Sequence, residues 1–361
     1  MLLEPAGWSL VPRIGDVLAG LPPSLFGHAS AETHACVVEL ATRPHRTVAA
    51  AIAELQGLRG ELARALAGRG LRSAVAGTHP TVIWHDVEVS PDPRYQRIDD
   101  SMRALAHREP TFALHVHVGV PDPVRAVRAL DGIREYLPLL LALSANSPYW
   151  QGRDTGLAST RVPIFSMFPR SGIARAFGDY RNWVAAVDVM VRGGAIPDPS
   201  FLWWDARLQP RLGTVEVRVM DAQTRLEDTA ALAALVQSLV RFHAEGAHRL
   251  GGGLTPEALA EDRFLAARDG MAAEFVGGFR GRRPRAVERL AGVLAACAPV
   301  ADTLGCLAEL ESAAELAESP GHARQRATVA EGGLEALVPS LSEEYELRRA
   351  PSPSGARTPP G

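Results

Sequence analysis

Apolar residues recur along this chain with two different periods. Between 46 and 68, Val48, Ile52, Leu55, Leu58, Leu62 and Leu66 fall three or four apart, which predicts an amphipathic helix. The spacing returns over 123–143, at Val124, Val127, Leu130, Ile133, Leu137, Leu140 and Leu141. It returns again from about 228 to 249, framed by an acidic start, a basic end and three glycines at 251–253. Residues 285–298 and 301–317 read as a C-terminal helical pair. Elsewhere the period is two. In "FALHVHVGV" (112–120), Phe112, Leu114, Val116, Val118 and Val120 alternate with Ala113, His115, His117 and Gly119, the pattern of a strand with one buried face. "GTVEVRVMD" (213–221) repeats it, and "ACVVELA" (35–41) and "TVIW" (81–84) are further strand candidates.

Strands separated by long helices usually signal parallel βαβ units. Clean alternation of polar and apolar positions favours instead an antiparallel sheet, one face open to a site and helices behind the other. The fold class expected is therefore α+β. On this reading His115 and His117 project from one side of a strand, about 7 Å apart. Val215, Val217 and Val219 form one face of a second strand, with Thr214, Glu216, Arg218 and Met220 on the other, and Glu39 lies opposite Cys36, Val38 and Leu40. If the strands share a sheet, Glu39, His115, His117, Glu216 and Arg218 line one concave surface. Each alone has an ordinary explanation, such as a solvated edge or a cross-strand ion pair. Three strands built alike point to a shared site, whose mix of carboxylate and imidazole suits Mg²⁺ or Mn²⁺ better than a closed structural zinc. Between them, "LSANSPYWQGRDTGLASTR" (143–161) follows a helix end and is dense in donors, with Asn146, Arg153 and Arg161 prominent.

Composition adds one sharp constraint. Of 361 residues, 47% are hydrophobic and 22% charged, with net charge −3, so bulk electrostatics give no indication of a nucleic-acid or membrane partner. All 38 basic residues are arginine. Without lysine there is no Schiff-base or pyridoxal-phosphate chemistry and no P-loop lysine, so anions must be met by Arg, helix N-termini or metal ions. Arg153 and Arg161 are natural clamps for a carboxylate or phosphate. Three cysteines fit neither a disulfide framework nor a zinc spacing, and a reducing, cytoplasmic setting fits them. "MLLEPAGWSLVPR" lacks a basic n-region, and "LPLLLALSA" is too short to span a bilayer. The stretch 349–361, rich in Pro, Gly and Ser, is expected to be disordered.

"LHVHVGV", "LALSANSPYWQGRDTGLASTR" and "WDARLQPRLGTVEVRVMDAQT" resemble the type 2 glutamate–cysteine ligases, in particular their carboxylate–amine ligase subfamily. The likeness runs from "HACVVELATRPHRT" through "DPRYQRI" to "GHARQRATV". It implies a single catalytic domain over 1–348 with the glutamine-synthetase-type fold, a curved antiparallel sheet lining the active site with helices on its outer face. It also implies weak ATP-dependent glutamate–cysteine ligase activity: glutamate's γ-carboxylate is phosphorylated, and the acyl phosphate is attacked by the amine of cysteine. By the same resemblance Glu32, Glu39, His115 and Glu216 would hold Mg²⁺ or Mn²⁺, and His117, Arg324 and Arg326 would contact ATP. Asn146, Arg153, Arg161 and Arg218 would bind substrate, Arg161 and Arg218 also acting at the transferring phosphoryl group.

The family's first strand, Gly-Val-Glu-Glu-Glu-Phe, has no counterpart, because "MLLEPAGWSLVP" resembles the segment C-terminal to that strand. The expectation is a sheet edge left exposed, on which a homo-oligomer could form. Either that strand is encoded upstream, or the polypeptide is a degenerate member that binds nucleotide or amino acid without ligating them. A metallohydrolase built on His115 and His117 is the remaining alternative, disfavoured because no later strand candidate carries a His.

Overall fold

The computed structural model describes residues 1–108, 110–246, 254–277 and 283–347. It opens with β1 (Leu2–Leu3), α1 (Ile14–Ala19), β2 (Ala29–Ala31) and β3 (Val38–Leu40), followed by α2 (Val48–Ala67), β4 (Arg72–Ser73), α3 (Pro93–Met102) and α4 (Ala104–His107). Then come β5 (Val116–Gly119), α5 (Pro123–Ile133) and α6 (Leu137–Ser144). A loop-rich stretch holds β6 (Tyr149–Trp150), β7 (Arg153–Asp154), α7 (Arg161–Phe165), β8 (Ser171–Gly172), α8 (Tyr180–Arg192) and β9 (Trp203–Trp204). The hairpin of β10 (Ala206–Gln209) and β11 (Thr214–Val217) leads into α9 (Leu226–Ala244). The remainder is helical: α10 (Pro256–Asp269), α11 (Ala286–Leu304), α12 (Leu307–Glu311), α13 (Ala313–Glu318), α14 (Gly321–Gly332) and α15 (Leu337–Leu347).

The sheet that matters is three-stranded and antiparallel, in the order β10-β11-β5. Its apolar face is the reason it forms. Val215, Val217 and Val219 are buried at the centre of a core that includes α6, buried on every side, and the inner faces of α5, α9 and α11. Val116 and Val118 of β5, with Leu114 and Val120 on either side of it, pack on the same core. Caps fix where helices begin: Thr47 accepts from the Ala50 N–H at α2, and Asp122 from the Arg125 N–H at α5, where Pro123 occupies the first turn. The α+β class and the antiparallel sheet with helices behind it are as expected, although the other strands pair only as short ribbons, one of them, β8–β9, parallel. All three cysteines are free and buried, Cys36 in a satellite cluster beside Phe112 and Tyr149, Cys297 and Cys306 in the main core.

Three expectations need correcting. "TVIW" is not a strand: the buried His79 ring accepts at Nδ1 from the Thr81 and Val82 N–H groups and curls the chain toward a 3₁₀ turn at 84–86. The helix of 123–143 is two, α5 and α6, joined by a 3₁₀ turn ahead of Pro138. The C-terminal pair is divided differently, since α11 runs through Pro299 to Leu304 and stops at Gly305, whose φ of 68° suits glycine. The basic end at Arg249, the glycines at 251–253 and the tail at 349–361 lie outside the described residues.

Candidate active site

Register builds the site. Glu216 on β11 stands opposite His117 on β5 and opposite Arg207 on β10, so one row across the sheet reads Arg, Glu, His. Arg207 donates from Nε to Glu216 Oε2 at 2.7 Å and from Nη2 to Oε1 at 3.3 Å, Gln209 adds a bond to Oε2 at 2.8 Å, and Arg218 donates to Oε1. His117 Nε2 and His115 Nδ1 lie 3.7 and 3.9 Å from Oε1. Burial alone would raise the Glu216 pKa, but Arg218 and Arg207 outweigh it and hold the carboxylate far below its ordinary range. Burial, reinforced by Arg218, keeps the His115 ring neutral, and burial lowers His117 as well.

The β2–β3 hairpin supplies the facing carboxylates. Glu39 Oε1 is 3.9 Å from His115 Nδ1, and Ser30, its cross-strand partner, donates to Oε2 at 3.5 Å. Desolvation inside the cleft, then the like charge of Glu32, push Glu39 up to about 7 against the pull of Arg218. Glu32 itself accepts from the Thr33 N–H and hydroxyl at 2.9 and 2.8 Å. A cleft of about 1000 Å³ runs past Glu32, Glu39, His115, His117, Arg161 and Arg218. Beyond them its walls are largely apolar, with Ile52, Leu55, Val116 and Val118 among the lining.

The donor set of Glu32, Glu39, His115 and Glu216 fits a hard divalent cation, and the like-charge crowding around Glu39 is what such a cation relieves. It is not closed up as a ligand shell. Glu216 is held by two arginines, and among the described residues no three His, Cys, Asp or Glu side chains are gathered closely enough to hold an ion as they stand.

The other sequence-derived residues are placed differently. Arg161 is buried at the start of α7, donating to the Val219 and Arg218 carbonyls at 3.0 and 3.2 Å, with Asp221 at 3.7 Å. Asp221 accepts from the Asn146 N–H at 2.8 Å and from the Ser147 and Ser159 hydroxyls at 2.7 and 2.9 Å. The Asn146 amide donates to the Ala222 carbonyl and accepts from Gln325. Arg324 bonds Asp228, and Arg326 makes a bidentate pair with Asp154 at 2.8 Å on each arm. Arg153 is exposed on β7. Asn146, Arg153, Arg324 and Arg326 stand apart from the residues lining the cleft. Sequence reasoning missed Arg207 and Asp221. The first was signalled by the turn at 210–213, which folds "ARLQ" back onto "TVEV", and the second by the polar residue closing an alternating strand.

The family model described as Glutamate-cysteine ligase family 2 (GCS2) matches residues 8–340. Two proteins of Rubrobacter xylanophilus, named "Putative glutamate--cysteine ligase 2-1" and "2-3", are each 40% identical to this chain. The matches span 90% of this chain and 87% of the first relative, and 95% and 94% for the second. A Sorangium cellulosum protein with the name "Putative glutamate--cysteine ligase 2" is 38% identical over 92% of this chain and 91% of its own length. Among solved structures, the glutamate–cysteine ligase of Francisella tularensis in complex with AMP superposes with a TM-score of 0.67, over 98% of this chain and 88% of that one, at 11% identity, which is a likeness of fold.

Proposed function

This chain belongs to glutamate–cysteine ligase family 2, and from that membership we propose that it is an ATP-dependent carboxylate–amine ligase with glutamate–cysteine ligase activity. The reaction is ATP + L-glutamate + L-cysteine → γ-glutamylcysteine + ADP + phosphate, through a γ-glutamyl phosphate. The carrying observation is that the match over 8–340 spans every residue of the candidate site. Two features of the chain suit the chemistry. The cleft is large enough for a nucleotide and two amino acids together. Guanidinium and neutral imidazole groups converge where a phosphoryl group would carry its charge.

In this reading Arg218 draws the γ-carboxylate and the transferring phosphoryl group together, held in place by Glu216 on its side chain and by Arg161 on its backbone carbonyl. His117 faces the nucleotide. Glu32, Glu39, His115 and Glu216 would hold Mg²⁺ or Mn²⁺, which neutralises phosphate charge when bound. No described helix is long and apolar enough to cross a membrane, and the chemistry is that of a cytoplasmic enzyme.

The test is ATP turnover by purified protein with Mg²⁺, glutamate and a panel of amines including cysteine. ADP release that depends on the amine, with the amide identified by mass spectrometry, supports the reading, and its absence across the panel sinks it. The arginines already engaging Glu216 favour one other reading, a family member that binds nucleotide without ligating, which would show ADP binding and no amine-dependent release.

A further inference from the structure

Six arginines line the cleft, and five of them are engaged by the protein itself. Arg59 donates to the Gln223 and Thr224 carbonyls, Arg161 to those of Arg218 and Val219, and Arg218 to Glu216. Arg125 pairs with Asp122 and Arg241 with Glu245. The sixth, Arg43, makes no side-chain hydrogen bond or ion pair among the described residues; only its backbone is held.

That backbone is held firmly. Arg43 lies in the connection from β3 to α2, four residues after Glu39. Its N–H donates to Glu54 Oε2 on α2 at 2.7 Å, and His45 Nε2 bonds the same oxygen at 2.8 Å. At the near end of the loop, the Ala41 N–H donates to the His28 carbonyl and His28 Nδ1 returns a bond to the Ala41 carbonyl, both at 2.8 Å. At the far end Thr47 caps α2. The loop is thus pinned to His28 at its near end and to α2 in the middle and at its far end, while the Arg43 guanidinium keeps its full donor capacity.

A guanidinium already bonded to buried carbonyls leaves acceptors unsatisfied if it turns to a ligand, a loss Arg43 does not incur. The chain has no lysine to share the task. We propose that Arg43 binds an oxyanion of the substrates, a carboxylate of the amino acid or a phosphate of the nucleotide, through charge-assisted bidentate hydrogen bonds. The substrate classes rest on the ligase reading; the availability of the guanidinium does not.

Direct binding tests it. Calorimetric titrations with ADP and, separately, L-glutamate are compared for the unaltered protein, Arg43→Ala and Arg43→Lys, all with Mg²⁺. Arg43→Ala is expected to weaken one of the two ligands by roughly tenfold or more, with partial recovery in Arg43→Lys and an unchanged melting temperature. Loss confined to ADP assigns a phosphate, and loss confined to glutamate a carboxylate. Equal affinities in all three proteins, or no binding of either ligand to the unaltered protein, overturn the proposal. Amine-dependent ADP release is measured independently, so its failure refutes the ligase reading without touching the binding comparison.

Discussion

Asp221 and Arg161 face each other across 3.7 Å inside the protein, the carboxylate fully buried and the guanidinium nearly so. Asp221 gathers three donors from the 146–159 segment, and Arg161 grips the backbone of Arg218 and Val219. The pair therefore ties the donor-rich loop to the strand that delivers Arg218 into the cleft. Asp221→Ala takes the counter-charge from a buried guanidinium and the acceptor from three donors. A stability loss of about 3–5 kcal/mol is expected by urea unfolding, and a loss below about 1 kcal/mol would contradict the role.

His115 and Glu216 separate binding from support. His115 has only long contacts, at 3.4 Å to Arg218 and 3.9 Å to two carboxylates. His115→Ala should reduce turnover by at least 10–100-fold, roughly the loss met around metal sites, with little change in melting temperature. Glu216→Ala should reduce turnover and also destabilise by about 3–5 kcal/mol, because Arg207 and Arg218 lose their shared partner. Steady-state ADP release and thermal melts check both variants. An unchanged rate in either refutes its part in the chemistry.

Acid should weaken the fold through its buried histidines. Burial lowers His34 and His79 from 6.5 to about 4. Above pH 6.5 each ring is neutral folded and unfolded, and contributes no pH dependence. Between pH 6.5 and 4 the unfolded chain binds the extra protons, so stability falls with pH, by roughly 3 kcal/mol per ring across the window. Urea midpoints at pH 7, 6 and 5 should drop in order, and His79→Gln should flatten the slope by one proton's share. An equal slope in the variant would remove His79 from the account.

Arg326 and Asp154 join α14 to the β6–β7 ribbon, both partly exposed. A pair so placed contributes at most about 1 kcal/mol. If the tie is its whole role, Arg326→Ala and Asp154→Ala shift the melting temperature and the KM for ATP in parallel. A KM that rises in Arg326→Ala alone would place that guanidinium on the nucleotide.

Much of the sheet was legible because alternation is a strong local signal. His115, His117 and Glu216 were expected on one face, and the register puts Glu216 opposite His117. Arg207 was not foreseen, since the alternation in "ARLQ" covers only four residues and its meaning depends on the pairing across the turn. Asp221 was missed because a carboxylate's burial is decided by the distant Ser147 and Ser159 that surround it. "TVIW" misled because its β-branched residues favour a strand, while one histidine ring offers their N–H groups a competing acceptor. In 285–317 the helix runs past 298 and through Pro299, although proline disfavours a helix interior.

The three buried cysteines divide the molecule into two reporters. Burial pushes Cys36 up to about 11 and Cys297 up to about 12, so neither ionises at neutral pH in the native chain. Thiol-alkylation kinetics then become a stopwatch for opening: Cys36 times the satellite layer beside the cleft, and Cys297 and Cys306 time the helical core. A substrate that closes the cleft should slow the first clock and leave the second running at its own rate.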